Sequence, residues 1–202
     1  MDQDTAESSP RSAQARPMRS DARRNLDTLL RAALAVFATA GVDAPMRAIA
    51  AEAGVGVGTL YRHFPQRSDL IKAIIQREVD TCVEYAAAVA QAHAPHEALA
   101  LWAQKLVDLA ATKRGLGPAL HSGNAAYSAL PDYVLGRLTP ALRALLDAAT
   151  AAGQIRAGVN AREFLLATLR LAAPASDGQI AEARRMVALL VDGLRFGAGK
   201  AT

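Results

Sequence analysis

The chain has 202 residues, of which 51% are hydrophobic, so it can bury one large or two small cores, and disorder cannot be its main state. Its net charge of +4 and pI near 9.6 suit a polyanionic partner, although solubility alone would explain so modest an excess. A single cysteine, Cys82, excludes an intramolecular disulfide, and no apolar run approaches the ~18 residues of a membrane helix, so we expect a soluble cytoplasmic protein.

Fold class and charge distribution can also be read from the composition. The chain is rich in alanine and poor in aromatic residues, and its glycines and prolines separate periodic apolar stretches, which predicts an all-α protein. Residues 1–20 are rich in Ser, Ala, Pro, Asp and Arg and lack an apolar segment, so we predict a disordered tail there. Between Pro10 and Arg77 eleven Arg or Lys residues face only five acids, so the cationic excess lies in the N-terminal part.

The next stretch predicts a compact group of helices. The first ends near Gly41 and carries apolar residues at helical spacing, namely Leu26, Leu30, Ala33 and Phe37. A second helix follows, with Asp43 as its cap and Pro45 in its first turn. Residues 45–64 contain two short helical patterns separated by Gly54, whose missing β-carbon suits a tight turn. Together they predict a helix-turn-helix motif.

The second helix of this motif has an inner and an outer side. Leu60 and Phe64 are four residues apart and therefore point inward together. With Val57 and His63 at the margins, the outer side suits a DNA groove and consists of Gly58, Thr59, Tyr61 and Arg62. For His63, packing in the small core and contact with DNA both remain open. For Arg62, the motif favours DNA contact over a merely solvated charge.

Residues 29–74 resemble the DNA-binding domain of the tetracycline-repressor (TetR) family of bacterial transcription regulators. The resemblance is carried by Phe37 and Gly41, by Ile49-Ala50 with Ala53-Gly54-Val55, and by Gly58-Thr59-Leu60-Tyr61 followed by His63-Phe64. It implies that Tyr61 donates to a backbone phosphate, that Thr59 contacts a phosphate or a base edge, and that Arg67 replaces the family's phosphate-binding lysine. The residues expected to contact DNA are Arg47, Gly56, Val57, Gly58, Thr59, Tyr61, Arg62, His63 and Arg67.

The chain departs from the family pattern at the starts of both short helices. Pro45 stands in place of a common threonine, and Gly56 and Val57 stand in place of a common serine and lysine. Polar groups that would touch phosphate are therefore missing, and Val57 is suited instead to contact a thymine methyl group. The fold prediction is unaffected, whereas the operator sequence is left open.

The rest of the chain predicts a second helical domain. We assign residues 21–82 to the DNA-binding domain and residues 83–202 to a regulatory and dimerisation domain, with about nine helices in all. A connecting helix is expected from Arg67 into the eighties or low nineties. Further helices are expected over 95–112, 116–123, 131–152 with a break or kink at Pro140, 161–172 and 179–196.

The last two predicted helices carry more apolar surface than one packing partner can cover. In the final helix, one row is suited to face its own domain and consists of Ile180, Ala183, Val187, Leu190 and Leu194. A four-helix homodimer interface is predicted to include Phe164, Thr168, Leu171, Met186, Leu189, Leu190 and Gly193. Complete burial inside the monomer is the alternative. The resemblance favours a dimer, whose two heads would bind a palindromic double-stranded operator.

The resemblance also implies a small-molecule pocket in the second domain, whose occupation moves the two DNA-binding heads out of register. Alanine, leucine and valine are frequent there, which favours an apolar or aromatic effector. The candidate lining residues are Trp102, Leu106, His121, Tyr127, Tyr133 and Leu138. For each of them, an ordinary place in the core or on the surface is the alternative.

Other classes of function have little support in the sequence. His93 and His96 are three residues apart, but Pro95 lies between them and no clear acidic or thiolate partner stands nearby, so no metal is predicted. No glycine-rich phosphate loop or nucleophile elbow is present, so neither an enzyme nor a bound cofactor is predicted. The prediction is a DNA-binding repressor released by a small molecule. The alternative is an architectural or interaction protein with the same DNA head and no effector pocket.

Overall fold

The computed structural model describes residues 15–172 and 179–197, and the regular structure of those residues is entirely helical. None of the helices in these ranges is long and apolar enough to cross a bilayer. Short 3₁₀ turns lie at Ala125–Tyr127 and Gly193–Arg195. The nine α-helices of the described ranges confirm the all-α prediction: α1 (Ala15–Ala40), α2 (Met46–Glu52), α3 (Val57–His63), α4 (Arg67–Ala92), α5 (Pro95–Arg114), α6 (Gly117–Leu120), α7 (Leu130–Ala151), α8 (Ala161–Leu171) and α9 (Ile180–Asp192).

α1 begins earlier than the sequence indicated. Residues 15–20, which were predicted to belong to a disordered tail, form its first turns, so the prediction is wrong for them. Pro17 is compatible with this start, because the first backbone N–H groups of a helix have no partner within it. The remainder of the predicted tail, residues 1–14, lies outside the described residues.

α1, α2, α3 and the first turns of α4 form one small unit, which we call the head. α1 ends at Ala40 and is followed by Gly41, whose φ of +79° is in the left-handed region. The N-cap of α2 is Pro45 rather than Asp43, because residues 42–44 form a separate turn in which the Ala44 N–H donates to the Gly41 carbonyl over 3.1 Å. The predicted cap is therefore wrong, and Asp43 is exposed.

The predicted helix-turn-helix is present as α2 and α3. Gly54 has a φ of +67°, which accounts for a glycine at this turn, and the Val55 N–H closes the turn on the Ala50 carbonyl over 2.9 Å. Leu60 is completely buried and Phe64 is 7% exposed, as their spacing predicted. These two buried side chains fix the rotation of α3 about its own axis relative to the rest of the head.

α4 connects the head to the rest of the molecule without a break. It begins with a capping box in which the Asp69 carboxylate accepts from the Gln66 N–H over 3.2 Å. It then runs through the proposed boundary after residue 82, so the two domains share one rigid element. A rotation of the second domain would therefore be transmitted along α4.

α5 and α7 form the centre of the second domain, which we call the regulatory domain. The predicted stripe on α5 is buried throughout and consists of Leu99, Trp102, Leu106 and Leu109. The Trp102 Nε1–H donates to the Cys82 carbonyl over 2.8 Å and so connects α5 to α4. α7 passes through Pro140 without a break, although an interior proline costs about 3 kcal/mol. Burial of Leu138 and Leu142 on either side helps to offset that cost.

The position of Leu60 gives a direct test of the head's core. We expect Leu60→Ala to lower the free energy of unfolding by ~2–5 kcal/mol, because it leaves a cavity at a fully buried position. Val57→Ala on the same helix is the matched control and should change it by less than ~0.5 kcal/mol, since Val57 is 44% exposed. Urea denaturation followed by circular dichroism measures both. Equal stability of the two variants would contradict the placement of Leu60.

Candidate nucleic-acid interface and assembly surface

The outer side of α3 is open to solvent. Tyr61 is 49% exposed and Val57 44% exposed, which is unusual for side chains of this size. Thr59 is half-buried. The other predicted contact residues on and before α3 are exposed, namely Gly56, Gly58, Arg62 and His63. α3 thus presents a continuous surface with an apolar part, a hydroxyl and a cation.

Two arginines give this surface its positive charge. Arg47 on α2 is exposed, and Arg62 is exposed with its Nε–H donating to the Gly58 carbonyl over 3.3 Å. Neither forms an ion pair with an acidic group in the described part of the chain. In contrast, Lys72 pairs with Asp69 at 3.0 Å, and the hydrogen bond from Lys72 lowers the pKa of that carboxyl. Arg47 and Arg62 therefore keep their charge available for an anionic partner.

The structure excludes a core position for His63. Its side chain is exposed, and its ring lies beside that of Phe64 with the two centroids 6.2 Å apart. Of the two possibilities that the sequence left open, burial in the core is therefore wrong. Contact between His63 and DNA remains a prediction.

Arg67 is used inside the head rather than on its outer surface. Its Nη1 donates to the carbonyl oxygens of Val42 and Ala44, the second over 2.7 Å. The centre of its guanidinium lies 6.0 Å from the centroid of the Phe37 ring. Arg67 therefore holds the turn between α1 and α2 against α4, a role that its position in the family motif did not indicate.

The six predicted effector-pocket residues do not line one open cavity. Trp102, Leu106 and Leu138 have no accessible surface, so no water-sized space touches them. Tyr127 is 9% exposed, and His121 is exposed with its Nδ1 2.8 Å from the Gly117 carbonyl oxygen. Tyr133 is half-buried; burial, and then the Asp80 carboxylate 3.4 Å away, raise the pKa of its hydroxyl.

A shallow cleft of about 530 Å³ lies elsewhere, along the outer side of α7. Gly136 and Pro140 of α7 and Arg162 of α8 are among the residues that line it. None of the six predicted pocket residues lines it. The lining positions on α7 follow the i, i+3, i+4 spacing of one helix face, and this spacing is the feature of the sequence that could have indicated the cleft. These positions are Asp132, Leu135, Gly136, Thr139, Pro140, Arg143, Ala144 and Asp147.

α9 has the two apolar sides that the sequence predicted. The inward row is buried or half-buried: Ile180, Ala183, Val187, Leu190 and Leu194. On a neighbouring side of the helix Leu189 is 75% exposed, Met186 is 42% exposed and Gly193 is also exposed. Phe196, the last residue of the predicted final helix, is 86% exposed and was not among the predicted interface residues.

The contribution predicted for α8 is partly wrong. Phe164 is 7% exposed and Thr168 is fully buried, so both pack inside their own chain and cannot meet a second copy. The Thr168 hydroxyl is satisfied by the Phe164 carbonyl at 2.8 Å. Leu171, like Leu190 on α9, is half-buried and retains some accessible surface. The uncovered apolar surface is therefore concentrated on α9.

The two histidines considered as metal ligands face different partners. His93 lies 3.2 Å from the Glu97 carboxylate, whereas His96 lies 4.0 Å from Asp192 on α9. No group of three or more side chains suited to hold a metal occurs among the described residues.

Comparison with known proteins agrees with this architecture. Residues 29–74 match the profile described as "Bacterial regulatory proteins, tetR family". Residues 94–196, about half of the chain, match "Transcriptional regulator SbtR-like, C-terminal domain". The two matches leave out residues 75–93, which contain α4 from its third turn to its end, where it joins the head to the regulatory domain.

Individual relatives point to the same family. A TetR transcriptional regulator from Streptomyces coelicolor is 38% identical, with 84% of this chain and 98% of that chain covered at a TM-score of 0.73. A TetR regulatory protein from Mycobacterium vanbaalenii is 35% identical, with 89% and 99% covered at a TM-score of 0.71. An HTH-type transcriptional regulator of Staphylococcus aureus is 32% identical over 109 residues, 53% of this chain. The chain spans 59% of the length of that curated relative.

The similarity therefore extends over both domains and includes the order of the helices. The head carries the motif residues with the burial and turn geometry that they require, and the regulatory domain matches over nearly its full length. The chain belongs to the TetR family of bacterial regulatory proteins.

Proposed function

We propose that this protein is a sequence-specific DNA-binding transcriptional regulator that acts as a homodimer and represses transcription until a small molecule releases it. The observation that carries the proposal is the distribution of exposed large apolar side chains. In the described part of the chain they form two groups, Val57 and Tyr61 on α3, and Met186, Leu189 and Phe196 on or beside α9. Each group fits one of the two partners that such a regulator needs.

The first group belongs to the DNA interface. The Tyr61 hydroxyl is suited to donate to a phosphate, and Arg47 and Arg62 add charge that attracts the backbone. Val57 and Thr59 supply a methyl-contacting surface and a hydroxyl for base edges. Phosphate contacts place the head on the duplex, and the base contacts supply the preference for a sequence.

The second group belongs to the dimer interface. Leu189, Met186 and Phe196 would leave three large apolar side chains in water if the chain were monomeric. Gly193 lies among them and has open space where a β-carbon would stand, so a second helix can approach closely. A two-fold axis here would pair two heads, and half-sites about 34–36 Å apart, or a multiple, would match a palindromic operator.

The effector is proposed to be an apolar or aromatic small molecule, in keeping with the apolar side chains between α5 and α7. Because Trp102, Leu106 and Leu138 touch no open space, it would bind by separating these helices, and so by favouring a different conformation. The same closed packing favours the second candidate, a DNA-binding protein without an effector. A regulator of either kind would act in the bacterial cytoplasm, where the chromosome lies.

DNA recognition is tested first. The purified protein should bind the duplex upstream of its own gene more tightly than a scrambled duplex, by fluorescence anisotropy, and should keep that preference when the salt concentration is raised. Tyr61→Phe should weaken binding to every duplex by ~1 kcal/mol, because one hydrogen bond to phosphate is lost. The melting temperature of the Tyr61→Phe variant should equal that of the wild type, because the side chain of Tyr61 is half exposed. If the wild-type protein bound both duplexes equally and lost this binding at the higher salt concentration, only non-specific DNA binding would remain.

Substitutions of Arg62 and Arg67 should distinguish a contact with DNA from a contribution to the stability of the head. Arg67→Met should lower the free energy of unfolding by ~1.5–3 kcal/mol, because two carbonyl oxygens lose a charged donor. Arg62→Met is the matched control: it should preserve stability and reduce the salt dependence of DNA binding by about one phosphate contact. If Arg67→Met melted like the wild type but bound DNA weakly, Arg67 would be a phosphate ligand instead.

Dimerisation through α9 is tested by Leu189→Glu. A carboxylate in the centre of the apolar surface should convert the protein to a species of 21.2 kDa in sedimentation velocity and abolish operator binding. Ala87→Glu, which adds the same charge at an exposed site on α4, should remain dimeric. An unchanged sedimentation coefficient for Leu189→Glu would move the interface elsewhere.

The two candidate functions differ in their response to small molecules. In a thermal-shift screen of apolar and aromatic compounds, an effector should raise the melting temperature and weaken operator binding in the same concentration range. If no compound does both, the regulator without an effector is the better description.

A further inference from the structure

Gly115 lies in the turn between α5 and α6 and directly against the head. A β-carbon at this position would stand 3.2 Å from the Phe37 carbonyl oxygen, 3.3 Å from the Phe37 carbonyl carbon and 3.4 Å from the Ala38 Cα. The other glycines in the described ranges have no neighbour closer than 4.0 Å to such an atom. Gly115 is thus the glycine at which two backbones from different domains meet.

The atoms that Gly115 contacts are firmly held. The Phe37 carbonyl accepts from the Gly41 N–H over 3.1 Å, and the Phe37 ring is 1% exposed. Arg67 lies over that ring and is hydrogen-bonded to the turn that follows α1. On the other side of the contact, Leu116 is fully buried in the regulatory domain. Because the atoms on both sides are held within their own domains, relief of an added methyl group would shift one domain against the other by a few tenths of an ångström.

The segment from Gly115 to Tyr127 reaches the head a second time. Tyr127 is 9% exposed, and burial is the main cause that raises the pKa of its hydroxyl. The 3₁₀ turn that ends at Tyr127 packs against α4, and the charges of Arg67, Lys72 and Asp69 also act on the pKa of its hydroxyl. The head is therefore supported by this segment at two points, in addition to its covalent connection through α4.

Within one helical turn, α4 forms one ion pair with a helix of the head and one with a helix of the regulatory domain. Arg77 pairs with Asp27 of α1 at 2.9 Å, and Asp80 pairs with Arg137 of α7 at 2.7 Å. These pairs are partly exposed, so each contributes little to stability and does not by itself fix an angle between the domains. The close backbone contact at Gly115 is steric, and steric contacts do fix such an angle.

We infer that Gly115 is a positioning residue for DNA binding: its missing side chain sets how closely the head approaches the regulatory domain, and hence the spacing of the two heads in the dimer. The inference rests on the proposed function, because a spacing matters only when two heads bind one operator. A small tilt at Gly115 would reach α3 through α1 and α2, which contact one another in that order.

The test compares Gly115→Ala and Gly115→Val with Gly117→Ala, two residues away, where a β-carbon meets nothing within 4 Å. An operator is first selected from random duplexes with the wild-type protein, and variants of it are made with half-sites one base pair closer or farther, about 3.4 Å. We expect Gly115→Ala to weaken binding to the selected operator about fivefold or more. Gly115→Val should weaken it further and prefer an altered spacing, whereas binding to random DNA and the behaviour of Gly117→Ala should match the wild type.

A second measurement does not depend on DNA or on dimerisation. Spin labels on Glu52→Cys in the head and Asp147→Cys on α7, both exposed positions, report the distance between the domains by pulsed electron resonance, while Cys82 is buried. The distance should change in Gly115→Val and stay constant in Gly117→Ala. If the wild-type protein selects no duplex, the proposed function is refuted, and the distance between the two domains remains as the test of the role of Gly115. Unchanged distances, or equal losses on operator and random DNA, would overturn the role of Gly115.

Discussion

A seven-residue helix such as α3 is unstable alone in water, because helix nucleation is unfavourable and so short a helix gains few hydrogen bonds. Its place is fixed by Leu60 and Phe64, which it buries in the head. Once these two side chains are buried, helix geometry fixes the direction of every other side chain on α3. The properties of the proposed DNA-reading surface, including the exposure of Tyr61 and Val57, thus depend on an apolar contact on the opposite side of the same helix.

The head in turn depends on Arg67 for its shape. This side chain connects the turn after α1 to the start of α4 through carbonyl groups, so the helix that leaves the head is tied to the helix that enters it. A guanidinium can do this because it carries several N–H donors on a planar group. The same guanidinium lies over the ring of Phe37, whose backbone contacts Gly115. Support of the head and its attachment to the regulatory domain therefore meet at one place.

The regulatory domain poses a different physical problem. Its centre is packed so closely that Trp102, Leu106 and Leu138 have no accessible surface, and the Trp102 N–H is satisfied by α4. A ligand that enters such a core must offset the contacts it breaks, so only its greater affinity for an opened state can shift the population. Because α4 takes part in this packing, opening the core would act on the helix that carries the head.

The sequence by itself determined what depends on local spacing: the order of the helices in the described ranges, the turn at Gly54, the inward pair on α3 and the two apolar sides of α9. Those features follow from the periods of helices and the conformations of glycine, which neighbouring residues are enough to specify. Only the tertiary structure decided which apolar surface was already covered, as for Phe164, and which side chains reach distant backbone, as Arg67 does across 25 residues to Val42. The tertiary structure also brings Gly115 into contact with the backbone of the head. Such contacts join residues far apart in the chain, and periodicity contains no information about them.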